Sequence, residues 1–290
     1  MTSIESEVYA EQELLYNRFM EPALLSALNH LTLPPGSLGL DAGCGPGGIF
    51  PLLDSALGAV GSILGIDNSA LLLTYAQKQI QLHHLNNRVN LFCADFSQPI
   101  PLANNCLDWV WTADVLTSEG NKRGFAPVEV IREMVRVVKP GGQVAIFLGN
   151  RLGAMFMPGY AHIENCLATA VNLNYRKQDH FHPAFHNENI LSWMRDAGLV
   201  QLRISAHITE YQAPLHPDII RYIQKYIFEA EYAASSELKQ YAHGIGLTED
   251  EWQTWLNISN PDSVNYLLIQ EDYYCVRFGI LATGRVVSLD

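Results

Sequence analysis

The stretch Leu38-Gly39-Leu40-Asp41-Ala42-Gly43-Cys44-Gly45-Pro46-Gly47-Gly48 constrains the fold of this chain more than any other. The apolar run ahead of Asp41 suits a strand covered on both faces. The glycines that follow allow positive φ and let a ligand come close to the backbone. Ile49, Phe50, Leu52 and Leu53 then open an apolar pattern with helical spacing. A strand, a glycine turn and a helix start, in that order, suit a nucleotide-like cofactor at the strand's C-terminal end.

Alternation continues from there. Residues 62 to 66 read as a strand ending in Asp67, and Asn68 or Ser69 caps a helix running to about Leu85. Residues 89 to 94 form a strand ending in Asp95, and 107 to 111 another, introduced by Asp108. Residues 127 to 138 have helical period, and Lys139-Pro140-Gly141-Gly142 stops that helix before a strand over 143 to 148. Such a pattern predicts an α/β fold, a doubly wound, mostly parallel sheet with helices on both faces. Upstream, residues 5 to 30 read as two helices, with Pro22 in the first turn of the second.

After Gly149 the pattern loosens into a segment rich in His, Tyr, Phe, Met and Asn, with a helix around 160 to 173. Asn187 caps a helix over 188 to 197, and a long strand follows over 199 to 211. Residues 214 to 262 read as a helical insertion, its last helix opening on the capping-box pattern Thr248-Glu249-Asp250-Glu251. Residues 273 to 285 alternate as a closing, antiparallel strand. The expectation is one domain over 1–290 with cap elements at 1–30, 150–186 and 214–262.

Composition narrows the partners. The net charge is −12 over 290 residues, with no dense Lys/Arg run, and an acidic surface repels phosphate backbones. Nucleic acid is therefore not the expected partner. No apolar run is long enough to span a bilayer, so no membrane partner is expected. The N-terminus, acidic and without an apolar core, does not read as a signal peptide. Five scattered cysteines with no CxxC pair suit a reduced, cytoplasmic protein.

The two strand-end acids refine the turn. A carboxylate at Asp67 can accept from both hydroxyls of a ribose. Asp95 can accept from an adenine amino group, with Phe96 beside it to cover the ring. Gly43-x-Gly45-x-x-Gly48 taken alone also fits a dinucleotide fingerprint. With both acids and the later Lys139-Pro140-Gly141-Gly142 turn, the chain resembles the class I S-adenosylmethionine-dependent methyltransferases. The likeness is close over about 36 to 150 and looser over 187 to 211 and 273 to 285. Asp41-Ala42-Gly43-Cys44-Gly45 matches the family's acid-x-Gly-x-Gly turn, and Asp108-Trp109-Val110 its fourth strand.

That resemblance implies a Rossmann-like, seven-stranded sheet with an antiparallel last strand. It implies S-adenosylmethionine as methyl donor and S-adenosylhomocysteine as product, with Asp41, Gly43, Cys44, Gly45, Asp67, Asn68, Asp95, Phe96, Thr112 and Asp114 as cofactor contacts. It departs from the family at Thr112-Ala113-Asp114-Val115-Leu116-Thr117-Ser118-Glu119, where many small-molecule members carry a His pair or Glu-His.

The sulfonium methyl is already activated, so the protein must chiefly align a nucleophile with it and exclude water. A base is required only where the acceptor must lose a proton. Asp114 and His162 are the candidate catalytic groups; Asp114 can equally hold the cofactor's amino group or cap a loop. Tyr9, Tyr16 and Arg18 either face the site or, as favoured here for the last two, pack and solvate. Phe156, Tyr160, Tyr175, Phe181 and Phe185 either line an acceptor pocket or form core. His180-x-His182-x-x-x-His186 has a metal-like spacing, but it lacks a nearby Cys and contains Pro183, and no metal is expected. The reading is methyl transfer to an O, N or C nucleophile of a small molecule. A non-catalytic cofactor- or partner-binding protein and an NAD(P)-dependent oxidoreductase are the alternatives, and a protein- or nucleic-acid-directed enzyme is less favoured.

Overall fold

The computed structural model of the chain describes residues 3–95, 98–116, 126–176 and 187–287. Seven strands form one sheet in the order β3-β2-β1-β4-β5-β7-β6. They are β1 (Leu38–Ala42), β2 (Ser62–Asp67), β3 (Val89–Cys93), β4 (Leu107–Ala113), β5 (Val138–Met155), β6 (Val200–Gln212) and β7 (Tyr274–Arg285). The first five run parallel, and β7 lies antiparallel between β5 and β6. The expected sheet is therefore present, including its antiparallel final strand. The first five strands point the same way, so the C-terminal ends of β1 to β4 share one rim, and the order of strand addition reverses between β1 and β4, which opens a crevice at that switch.

Helices cover both faces. On one face pack α1 (Ser3–Leu31), α2 (Phe50–Leu57), α3 (Ala70–Leu82) and α5 (Ala161–Arg176), together with the helices between β6 and β7. On the other pack α4 (Pro127–Val137) and α6 (Ile190–Asp196). Gly39 lets β4 sit tight on β1: a Cβ there would fall 1.9 Å from the Trp109 indole, which donates to Ser37 Oγ at 2.9 Å. Ser69 caps α3 by accepting from the Leu72 N–H. The insertion carries α7 (Pro217–Tyr222), a π-helix (Ile223–Glu231), α8 (Ser236–Gly244) and α9 (Glu249–Ile258), whose capping box is closed in both directions by Thr248 and Glu251. No described helix is long and apolar enough to cross a membrane.

Three expectations are corrected. The N-terminal segment is one helix, not two, and Pro22 lies inside it. A proline there removes its own N–H and crowds the carbonyl four residues back, that of Arg18. Strand β6 supplies what is lost: the Tyr211 hydroxyl donates to the Arg18 and Phe19 carbonyls (3.3 and 3.2 Å), and Thr209 Oγ1 accepts from the Ala23 N–H at 3.3 Å. Strand β5 runs on to Met155, because β7 continues to pair with it beyond a bulge, Ala154 opposite Arg277 and Met155 opposite Val276. Asn187 opens a short 3-10 turn (Asn187–Asn189) rather than capping α6 directly.

Candidate functional site

The glycine turn sits at the shared rim. The N–H groups of Gly43 and Cys44 both donate to the Ile66 carbonyl at the end of β2, each at 2.9 Å. Gly45 N–H donates to Asp67 Oδ2 at 3.1 Å, and Gly47 N–H to the Cys44 carbonyl at 3.0 Å. Four donors of the turn are thus spent inside the protein. Gly43, Gly45 and Gly47 all have positive φ. A Cβ on Gly47 would strike Phe50 and Ala76, and one on Gly48 would strike Asn17 of α1, whereas one on Gly45 would meet nothing within 4 Å. The open side of the turn is therefore at Gly45.

Asp67 is fixed beside that opening. Its Oδ1 accepts from the Ser69 N–H at 2.8 Å while Oδ2 accepts from Gly45. Asn68 and Asp95 are exposed at the ends of β2 and β3. Phe96 lies outside the described residues, as do Glu119 and the His180, His182 and His186 group. Among the described residues no three His, Cys, Asp or Glu side chains gather as metal ligands.

Asp41 is nearly buried, and its Oδ2 has no hydrogen-bond partner. Burial first, and the negative charge of Asp67 second, push its carboxyl up to about 8. Burial, then the charges of Asp41 and Asp67, push the buried Cys44 thiol up, which disfavours it as a nucleophile. An arriving cation at this rim would be favoured, since it stabilises the ionised carboxyl against burial and against the Asp67 charge.

Asp114 ends β4 with a positive φ of 55°. Its Oδ1 accepts from the Gly149 N–H at 2.7 Å and its Oδ2 from the Tyr16 hydroxyl at 2.6 Å. Glycine is required at 149, because a Cβ would fall 2.1 Å from the Tyr16 oxygen. Thr112 is fully buried and donates to the Ala42 carbonyl at 2.8 Å, so it ties β4 to β1 behind the turn rather than facing a ligand.

Other expected residues fall elsewhere. His162 is largely exposed on α5, its Nδ1 2.7 Å from Glu251 Oε1 at the start of α9, and this pair joins two helices at the surface. Arg18 pairs with Glu21 at the surface, while Tyr16 is half-buried against the core. Tyr9 is exposed. Phe156 is core, 5.9 Å from the Phe19 ring, and Tyr160 packs against that core. The side chains of Tyr175, Phe181 and Phe185 lie outside the described residues. The Lys139-Pro140-Gly141-Gly142 turn lies at the opposite rim: Lys139 Nζ donates to Asp108 Oδ1 at 2.6 Å, and Asp108 Oδ2 accepts from the Leu38 N–H at 2.8 Å. That turn fastens the sheet and is remote from the crevice.

A residue group the sequence does not announce lies next to Asp114. Arg277 of β7 is buried; its Nη1 donates to the Tyr222 hydroxyl at 3.0 Å and its guanidinium lies 5.5 Å from the Tyr16 ring centre. The signal available was an Arg inside the otherwise apolar alternation of the last strand.

This sheet, with its glycine turn and strand-end acids at the switch point, has the Rossmann-like fold of the class I S-adenosylmethionine-dependent methyltransferases. Residues 40–146 match the family described as "Methyltransferase domain". The demethylmenaquinone methyltransferase of Bacillus licheniformis is 32% identical over 120 residues, 39% of this chain and 45% of that protein. The chain thus aligns with less than half the length of this curated relative. Among solved structures, a Bacillus halodurans protein classed as a methyltransferase shares the fold with a TM-score of 0.52 at 15% identity, over 91% of this chain and 99% of that one. The geranyl diphosphate C-methyltransferase of Streptomyces coelicolor gives 0.50 at 16% identity, over 93% and 80%.

Proposed function

We propose that the protein transfers the methyl group of S-adenosylmethionine to an O, N or C nucleophile of a small-molecule acceptor, releasing S-adenosylhomocysteine. The observation that carries this reading is the Asp41 carboxyl, buried, with an orphaned oxygen and a negative neighbour, beside the open face of Gly45. A cofactor bearing an ammonium and a sulfonium suits that rim, and a pyrophosphate does not. When bound, the cofactor supplies an activated methyl.

The chain's own residues bind and orient. Asp67, held by two backbone N–H groups, accepts the ribose hydroxyls. Asp95 receives the adenine amino group, and Asn68 lies between them. Gly43, Cys44 and Gly45 offer a bare backbone surface to the amino-acid end. Asp114, locked by Gly149 and Tyr16, orients a group at the end of β4. Helix α1 and the insertion form the cap that excludes water. The names of the matched relatives, a demethylmenaquinone and a geranyl diphosphate methyltransferase, agree with an acceptor of partly apolar character. The −12 charge supports a reading without nucleic acid, and a cytoplasmic setting belongs to the same proposal.

Calorimetry with S-adenosylmethionine, S-adenosylhomocysteine and NAD tests this directly. Saturable binding of the first two and none of the third is expected. Binding of NAD alone, or an Asp67→Ala variant that binds the methyl donor unchanged, overturns it. Labelled-methyl transfer to a metabolite extract then identifies the acceptor.

A further inference from the structure

Beneath the insertion lies a buried polar group that the cofactor reading does not use. Arg277 is 5% exposed, and its Nε has no hydrogen-bond partner. Among the described residues no carboxylate makes an ion pair with it. The Tyr226 hydroxyl of the π-helix is likewise buried without a partner. Burying a cation with a donor unmet is costly unless something pays for it. The guanidinium nevertheless stays protonated: burial works against it, and the Tyr222 and Tyr16 phenols, Glu231 and Asp114 outweigh that.

The place is also specific. Two phenols touch the guanidinium, Tyr222 by its hydroxyl and Tyr16 by its ring face; their rings lie 6.0 Å apart, and Tyr226 continues the row 5.9 Å beyond Tyr222. Tyr16 reaches Asp114 at the end of β4, while its neighbour Asn17 abuts Gly48 of the glycine turn. One helical step thus connects the Arg277 group to the donor site. The insertion is pinned over it, since Glu11 of α1 pairs with Arg221 and, at 2.8 Å, with Lys225. A π-helix beside such a group fits the usual association of that irregularity with functional sites.

We propose that Arg277 is the specificity-determining residue of the acceptor site, binding an anionic oxygen, carboxylate or phosphate, of the small molecule to be methylated. The proposal rests on the methyltransferase reading and narrows its acceptor to an acid. Tyr222 positions the guanidinium, and its free Nε–H donates to the anion. The phenols flank the body of the ligand.

The test uses protein saturated with S-adenosylhomocysteine and three probes of similar shape: benzoate, phenyl phosphate and benzyl alcohol. Melting temperature and the 15N–1H signal of the Arg277 side chain are followed at millimolar probe. Either anion is expected to raise the melting temperature and shift that signal saturably, with benzyl alcohol inactive. The stronger of the two anions names the source of charge. Arg277→Gln should weaken anion binding about tenfold or more while still binding S-adenosylhomocysteine. If that variant does not fold, Tyr222→Phe is read instead, with a severalfold weakening expected. Equal response to all three probes, no response to either anion, or unchanged anion affinity in the variant that folds overturns the proposal. Failure of the wild type to bind S-adenosylhomocysteine overturns the underlying methyltransferase reading instead.

Discussion

At one rim of the sheet Asp41 ends its strand with a carboxylate oxygen unmet, and Asp67 stands beside it. At the other rim Asp108 opens its strand clamped between the Lys139 ammonium and the Leu38 N–H. Burial tends to raise both Asp41 and Asp108. At Asp108 the Lys139 and Leu38 hydrogen bonds overcome it and hold the carboxyl below its usual value, whereas at Asp41 the nearby Asp67 adds to it. The same side chain is thus a fastener where its partners are in the chain and a receptor where they are not. A strand-end acid is therefore read by what completes it, not by its position in a motif.

Four substitutions can break or sharpen that contrast. The largest effect is expected from Asp67→Ala, which removes the proposed acceptor of the ribose hydroxyls and should weaken S-adenosylmethionine about a hundredfold in calorimetry, with some loss of stability as well because the Gly45 and Ser69 N–H groups lose their acceptor. Next, Asp108→Ala leaves the Leu38 N–H unmet and should cost about 1–2 kcal/mol in urea unfolding while cofactor affinity stays as it was. If Asp108→Ala lost binding instead, the two rims would not be separable.

Asp41→Asn addresses pH. The folded carboxyl lies near 8, above its unfolded value, so its contribution to stability is full below the unfolded pKa and is lost as pH rises toward 8. The protein without cofactor should become less stable over that window, and Asp41→Asn should flatten the slope. Binding of the cationic cofactor at pH 7 should also release a proton, visible as a buffer-dependent heat that the variant lacks. The smallest effect belongs to Lys139→Met, which breaks a half-exposed ion pair and should cost less than about 1 kcal/mol of stability.

The part of the fold legible in the sequence is the part written locally. The glycine turn, Asp67 and Asp95 each follow a strand by one or two residues, and the Thr248 capping box spans four. Each sits where expected because its place at an element's end is set by the local pattern of the strand or helix beside it. What escaped was settled by distant residues. Pro22 reads as a helix start, and only Thr209 and Tyr211, almost two hundred positions on, let the helix continue. His162 reads as a base until Glu251 is seen to hold it at the surface. Lys139-Pro140-Gly141-Gly142 has the right order along the chain for a site element, yet a parallel strand carries it to the far rim. Arg277 gives no local sign of its phenolic surroundings, since Tyr16 and Tyr222 come from two other helices.

Helix α1 carries Tyr16 and Asn17 side by side, the first bonded to Asp114 and the second seated on Gly48. Adjacent residues of a helix point about 100° apart around its axis, at 3.6 residues per turn. One rigid helix thus carries both a contact to the end of β4 and a contact to the glycine turn, so a change in the setting of α1 is felt at the two places together.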